Sequence, residues 1–547
     1  MMTATSQDVL AQPARPAWRL DWLTPVRCWI ILAVVLLLGF FGHVRYLNDN
    51  CPIDLSGDEA QYWDWSRNLD LSYYSKGPLV AYIIRASCAM FGETMQAVRY
   101  PALVLGVATS MVTFLLTRKL FGSDRLALGA VLLNHFVPMF VAGSVLMTID
   151  PPYFFCWAMC TYFAAIALFE GKSWPWVFVG VFAGIGFLAK YAILLWFVGL
   201  VVFMLADPLS RKRLRSPGPW VAFAISLLFT APVIIWNARH GWASVKHVAH
   251  QTGASGGALS RGNFLEFIGS QIGVVGPLLA VIIVAAVIFA SRSQREAIDT
   301  PKRRAMFLVC IGLTFFAFNL IISFVTKVQV NWPAPAYFTL MILSAWFIGT
   351  RMQNVDTWKR WRGWVWGAII FGLVLTPIVH DTSIVFPLVR KFNSVFGTKI
   401  QAGNIDLSTR LRGWQQLGSE VTLELRALGD RPFVLCDDYM QTAEMAFYVE
   451  GQPVTYYAGS YYADAKRFTQ YDMWPNRRLD QPELLGRNAI YVGKGGEIPA
   501  EIPAAFERIS ERIEIPVIAG GETVKTSKIW RCYGFKGMKR AAGAGDY

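Results

Sequence analysis

Trp29-Ile30-Ile31-Leu32-Ala33-Val34-Val35-Leu36-Leu37-Leu38-Gly39-Phe40-Phe41-Gly42 is an apolar run without a charged side chain, and Ser56-Gly57-Asp58-Glu59-Ala60-Gln61-Tyr62-Trp63-Asp64-Trp65 follows it. With its flanks the run reaches the roughly 18 residues that suggest a bilayer-spanning helix. Further runs of this kind recur along the chain. Of its 547 residues 54% are hydrophobic and only 16% charged, against about 25% charged in an ordinary soluble domain. The chain therefore reads as a polytopic α-helical membrane protein. Arg15, Arg19 and Arg27 precede the first run and no small-residue cleavage site follows it. That pattern predicts a retained first span with residues 1–25 as a tail on the inner side.

A net charge of +14 raises nucleic acid as a partner, but its distribution excludes that class. Many of the basic residues lie in short loops between apolar runs, as the positive-inside rule expects. Arg118-Lys119, Lys172, Arg211 to Arg215, Arg292 to Arg304 and Lys359 to Arg362 then all fall on the inner side if there are about eleven spans. These cover residues 26–47, 98–116, 126–146, 151–169, 220–236, 268–290, 305–325, 332–347 and 364–379, with two more inside 176–205. The last segment is too long for one untilted helix and too short for two full crossings of about 20 residues. It predicts two short helices turning at Ala189-Lys190-Tyr191, which makes Lys190 an intramembrane cation at a buried or water-lined turn.

Residues 26–380 thus form a membrane domain with an outer loop at 48–97, and residues 381–547 form a periplasmic domain of ordinary soluble composition. An amphipathic helix is expected over 408–428, with Leu411, Trp414, Leu417 and Val421 on one face. Strands are expected at 432–436, 454–457, 489–492 and 529–533, with a helix at 440–449, which suggests a small α/β domain. It carries no GxGxxG, P-loop or serine elbow, so it reads as a lid or acceptor platform. Cys436 and Cys532 lie in two of these strands, and a disulfide is within reach if the strands are neighbours.

The chemistry concentrates outside the membrane. Asp58 and Glu59 are adjacent carboxylates, and Lys76 follows in Tyr73-Tyr74-Ser75-Lys76-Gly77-Pro78-Leu79. A carboxylate can take the proton of an acceptor hydroxyl, and a lysine can steady a departing phosphate. Asp58 also suits the N-cap of a helix over 59–69. Asp150, before Pro151-Pro152, suits the N-cap of the span that follows. His240, His247 and His250 share one outer loop with Lys246; their spacing is not diagnostic of zinc, and phosphate or lipid headgroups suit Lys246 and His247 better. Lys327 precedes Asn331-Trp332-Pro333 at an interface. No cysteine spacing suggests a metal site, and a divalent metal requirement stays open.

These motifs, in this order, resemble the bacterial members of the dolichyl-phosphate-mannose:protein mannosyltransferase superfamily, glycosyltransferase family 39 and relatives, including the aminoarabinose transferase of lipid A. The resemblance rests on Gly57 to Tyr62, Tyr74 to Leu79, Thr148-Ile149-Asp150-Pro151, Gly186 to Tyr191 and Lys327 to Ala334, with Arg412-Gly413-Trp414 and Gln470 to Pro475 in the outer domain. It implies a C-type glycosyltransferase fold and a polyprenyl-phosphate sugar donor bound on the outer face of the inner membrane. It implies Asp58 as general base with Glu59 beside it, and Lys76, Lys190, Lys246 and His247 around the donor phosphate. Tyr62, Asp150, Tyr191, Lys327 and Asn331 are further substrate contacts on the same ground. The acceptor is then lipid A or its core, another glycan, or protein. Gly77 stands where the lipid A transferases carry the first proline of Lys-Pro-Pro, which counts against lipid A as acceptor but not against the transferase chemistry. Two other classes compete. One is a transporter or flippase of lipid-linked saccharides, disfavoured by the absence of inverted repeats. The other is a polymerase or ligase of surface polysaccharide.

Overall fold

The computed structural model describes residues 21–49, 51–251, 262–292, 300–463 and 468–540. Most of the expected inner tail, with Arg15 and Arg19, lies outside the described residues, as does Arg295. Every expected span falls on helix. Among the described residues six helical segments are long and apolar enough to cross a membrane: Pro25–Asn48, Met95–Phe121, Asp150–Phe169, Pro217–Arg239, Pro301–Ile322 and Val355–His380. Shorter or bent helices complete the bundle, among them Pro175–Ala189, Leu195–Ala206 and Ala334–Met352.

Three expected spans are not continuous; the one at 220–236 is interrupted by a turn at Phe229-Thr230, between Pro217–Leu228 and Ala231–Arg239. The one at 126–146 breaks after Asn134, because Val137 precedes Pro138 and takes an extended conformation (φ −89°, ψ 114°), as steric conflict with the proline ring requires. The one at 268–290 bends by 100° between Phe264–Val275 and Pro277–Ser291. Gly276 makes that corner at φ +93°, a region that L side chains avoid. The break at Ala189-Lys190-Tyr191 is present as expected. Helix Pro175–Ala189 stops at an extended Lys190, a 3₁₀ turn covers Tyr191–Leu194, and Leu195–Ala206 follows.

The basic ends gather on one face of the bundle. Arg303 pairs with Asp207 at 2.8 Å, Arg304 donates to the Leu120 carbonyl, and Lys119 pairs with Glu170. The opposite face carries the outer loop and the C-terminal domain. That domain holds a six-stranded sheet: β1 Phe433–Cys436, β2 Thr455–Tyr457, β3 Ala489–Gly493, β4 Phe506–Ile509, β5 Ile513–Ala519 and β6 Glu522–Phe535. The order is β2-β1-β3-β6-β4, with β5 also on β6; β1 runs parallel to β2 and β3, and the other pairs are antiparallel. The expected helix over 408–428 begins only at Trp414, because Gly413 turns left-handed (φ +79°).

The disulfide is overturned. Cys436 on β1 and Cys532 on β6 are both free, and β3 lies between their strands. Two strand spacings amount to roughly 10 Å, beyond the ~7 Å limit for a bridge. The two thiols also belong to opposite faces: Cys436 packs with Val434 and Ile490, Cys532 with Leu435 and Tyr491.

The domain is seated on the outer loop. Helix Tyr439–Tyr448 packs against helix Gly57–Ser66 so closely that a Cβ on Gly57 would overlap Met440. Tyr448 accepts the Leu55 amide at 2.7 Å, Asp54 accepts the Trp414 amide at 2.7 Å, and Arg477 pairs with the buried Asp64 at 2.8 Å. In this seam Glu444 is fully buried and neither carboxyl oxygen has a hydrogen-bond partner. Burial, then the Asp54 and Glu59 carboxylates, push its carboxyl well above the usual range, against the pull of Lys525 and Arg99. The folded chain therefore keeps a proton that the unfolded chain releases above about pH 4.3. Stability present at low pH is lost as pH rises from there. In thermal melts between pH 5 and 8, wild-type protein should lose melting temperature with rising pH and Glu444→Gln should lose clearly less; equal slopes would show that Glu444 is not the titrating group.

Candidate functional site

The site begins at the N-terminus of helix Gly57–Ser66. Its cap is Ser56, not Asp58: the Ser56 hydroxyl accepts the Glu59 amide and the Glu59 carboxylate accepts the Ser56 amide at 2.9 Å. This reciprocal capping box satisfies two orphan amides of the first turn. Asp58 is thereby left out of the cap and stands exposed in that first turn.

Glu59, about 100° around the helix, points inward and is fully buried. Arg99 grips it with two hydrogen bonds of 3.0 Å, and the Met147 amide adds one of 2.9 Å. The same guanidinium donates to the carbonyls of Ile53 and Asp54. With its oxygens already taken by Arg99, Met147 and Ser56, and no access to solvent, Glu59 is out of reach of an acceptor hydroxyl and acts as a tether.

From Met147 the turn continues to Asp150. Asp150 is the first residue of its helix and does not cap it; Ile149 holds the cap position without a side-chain bond. The Asp150 carboxylate instead gathers two expected site residues. Lys190 approaches Oδ1 at 2.9 Å and the Asn331 amide donates to Oδ2 at 2.8 Å. Lys190 also lies 5.4 Å from the centre of the Tyr153 ring. Both members of the Lys190–Asp150 pair keep 16% side-chain exposure, so the cation is sheltered but reachable.

The Lys76 turn is pressed onto the same helix break. A Cβ on Gly77 would overlap the Leu188 carbonyl. The Tyr191 hydroxyl meets Ser72 at 3.3 Å, and Ser72 donates to the Lys76 carbonyl. Tyr191 is thus a buttress of the turn. His247 is buried with its ring 4.9 Å from Tyr74, and Ser244 on the same helix donates to the Tyr73 carbonyl. The expected group of Lys76, Lys190 and His247 therefore sits around one turn. Lys246, next to His247, faces outward.

Two expected contacts are placed elsewhere. Tyr62 is buried with its ring on Trp65, in the aromatic core of the outer loop. Lys327 is 70% exposed and pairs loosely with Glu266 at 3.5 Å, while Asn331 in the same segment reaches Asp150. Among the described residues no three His, Cys, Asp or Glu side chains converge to hold a metal ion. Sequence reasoning missed Arg99, whose only signal was a lone arginine near the start of an apolar run.

Breaking a buried ion pair by removing one partner costs about 3–5 kcal/mol. Arg99→Leu and Glu59→Leu should each lower the melting temperature sharply in detergent, and Glu59→Gln should lower it less. Gly77→Ala should lower the melting temperature in detergent by displacing the Lys76 turn; a wild-type melting temperature in Gly77→Ala would show that the turn tolerates movement.

Residues 75–236 match the dolichyl-phosphate-mannose-protein mannosyltransferase family. Over 324 residues the chain is 30% identical to a lipid A galacturonosyltransferase of Rhizobium johnstonii, covering 58% of this chain and 65% of that one. It is 25% identical over 231 residues to the undecaprenyl phosphate-alpha-4-amino-4-deoxy-L-arabinose arabinosyl transferase of Edwardsiella ictaluri, covering 39% of this chain and 40% of the relative. The match thus spans less than two thirds of either curated relative. In fold the chain is similar to ArnT of Cupriavidus metallidurans bound to undecaprenyl phosphate, with a TM-score of 0.60 and 16% identity over 94% of this chain and 98% of that one.

Proposed function

We propose that this relative of the dolichyl-phosphate-mannose-protein mannosyltransferases is a glycosyltransferase that moves a sugar from a polyprenyl-phosphate donor to an envelope glycolipid of the lipid A type. The observation that carries the reading is one line of contacts. Arg99 holds Glu59, Glu59 holds Met147, and three residues on Asp150 holds Lys190. It ties the helix bearing an exposed carboxylate to a sheltered cation, on the face opposite the basic loops.

In this reading Asp58 accepts the proton of the acceptor hydroxyl as its oxygen attacks the anomeric carbon. The bond from that carbon to the phosphate oxygen breaks, and polyprenyl phosphate leaves. Lys190 and Lys76 stabilise the charge that grows on the phosphate. Asp150 and Asn331 orient Lys190, and Glu59 and Arg99 position the base without touching substrate. One direct displacement inverts the anomeric centre and needs no second carboxylate as nucleophile. The donor's lipid tail places it in the bilayer, at about 0.8 kcal/mol per buried CH₂, where no nucleotide sugar is needed. The names of the two curated relatives and the ligand of the ArnT structure support the donor and acceptor class. The outer face and the periplasmic C-terminal domain are part of the proposal, supported by the gathering of basic loops on the other side.

Purified protein in micelles, given a radiolabelled polyprenyl-phosphate sugar and lipid A, should yield labelled lipid A with one sugar per transfer. Label that stays on the carrier would favour a transporter, and long products would favour a polymerase. Asp58→Asn should express normally and lose at least about a hundredfold in turnover, while Lys190→Ala should weaken donor binding without unfolding the chain. Full turnover in Asp58→Asn would remove it as the base.

A further inference from the structure

On the face opposite the candidate site, four helix ends line a cavity of about 580 Å³, among them the start of Asp124–Asn134. The C-terminal end of Met95–Phe121 supplies Arg118 and Lys119, the end of Asp150–Phe169 supplies Phe169, and the start of Pro301–Ile322 supplies Arg304. We propose that this cavity binds the phosphate-bearing headgroup of an anionic membrane lipid.

Three cations in the cavity lining are the first ground. The guanidinium of Arg304 is fixed by its bond to the Leu120 carbonyl and lies 5.6 Å from the centre of the Phe169 ring. Two carboxylates also line the cavity, and both can release their cations. Glu170 accepts from Lys119 but also from Lys172 at 2.8 Å. A phosphate that takes Lys119 therefore leaves Glu170 still paired. Asp124 forms an ion pair with Arg118 at 2.7 Å and is the first residue of helix Asp124–Asn134, where the positive helix end favours a carboxylate on its own. The first exchange leaves Glu170 paired with Lys172, and the second leaves Asp124 to the helix end alone.

The second ground is location. Tyr162 lines the cavity, and the adjacent Phe163 stacks on Phe178 at 4.8 Å and meets Trp174 edge-on. Trp174 and Phe178 are exposed large hydrophobics beside the basic helix ends. Exposed aromatics next to a cationic cavity between helices suit a headgroup whose acyl chains lie against the bundle. Free inorganic phosphate shares the headgroup's chemistry but makes no use of the exposed aromatics packed on the helix that lines the cavity.

Native mass spectrometry of the full chain released from nanodiscs tests this. Discs would hold phosphatidylcholine alone or mixed equally with phosphatidylglycerol, and a third arm would add inorganic phosphate to the phosphatidylcholine discs. Retained phosphatidylglycerol should exceed phosphatidylcholine by roughly tenfold, because the headgroup phosphate takes cations that already have carboxylate partners. The double variant Arg118→Gln/Arg304→Gln should lose that preference, and Arg118→Lys/Arg304→Lys should keep most of it. Equal retention of both lipids by wild type, or an undiminished preference in the glutamine variant, would overturn the proposal. Retention of inorganic phosphate that displaces phosphatidylglycerol would overturn the lipid as its source.

Discussion

The buried pair of Glu59 and Arg99 is the constraint on which the outer half of the molecule depends. Its members reach four separate pieces of chain: the loop at Ile53 and Asp54, the helix that begins at Gly57, the helix that begins at Met95, and the turn at Met147. A carboxylate and a guanidinium removed from water are costly unless nearly all their polar atoms are satisfied. Here that demand dictates geometry, because moving any one piece breaks a bond to a buried charge. The exposed Asp58 and the sheltered Lys190 inherit their positions from this arrangement.

The C-terminal domain completes the constraint from above. Its contacts with the outer loop run from Pro52 through Tyr74: Arg412 donates to the Pro52 carbonyl at 3.0 Å, and Gln470 accepts the Tyr74 amide at 2.7 Å. A loop held at both ends and along its helix is a rigid platform, which suits a base that must meet a hydroxyl within hydrogen-bond reach. The domain therefore acts first as a brace for the loop. The fully buried Glu444 at the seam marks how tightly the two surfaces meet.

Much of this was legible from residues alone. Apolar periodicity and basic loops outlined the bundle, and the length of the 176–205 segment announced the break at Lys190. The bends at Val137 and Gly276 were signalled by Pro138 and Gly276-Pro277, but the hydropathy of the flanks hid them. β5 alternates Ile513, Ile515, Val517 and Ala519 inward, yet Pro516 disguised it; it pairs only with β6, at an edge where a proline is tolerated. The tethering roles of Asp150 and Glu59 were not legible, since Lys190 and Arg99 each lie 40 residues away in the chain; only the capping box of Ser56 with Glu59 is local. Local rules offered an N-cap for Asp150, and tertiary contacts overrode it. Gly77 had counted against a lipid A acceptor. Its reason is steric, the carbonyl of Leu188, so it carries no information on the acceptor.

The central claim is that one end of the bundle holds both a donor phosphate and a base. An experimental structure of the chain with a polyprenyl phosphate tests it most directly. The account predicts the phosphate within hydrogen-bond reach of Lys190 or Lys76, on the side of the bundle where Asp58 is exposed. A phosphate seated only among the basic helix ends of the opposite face would contradict it.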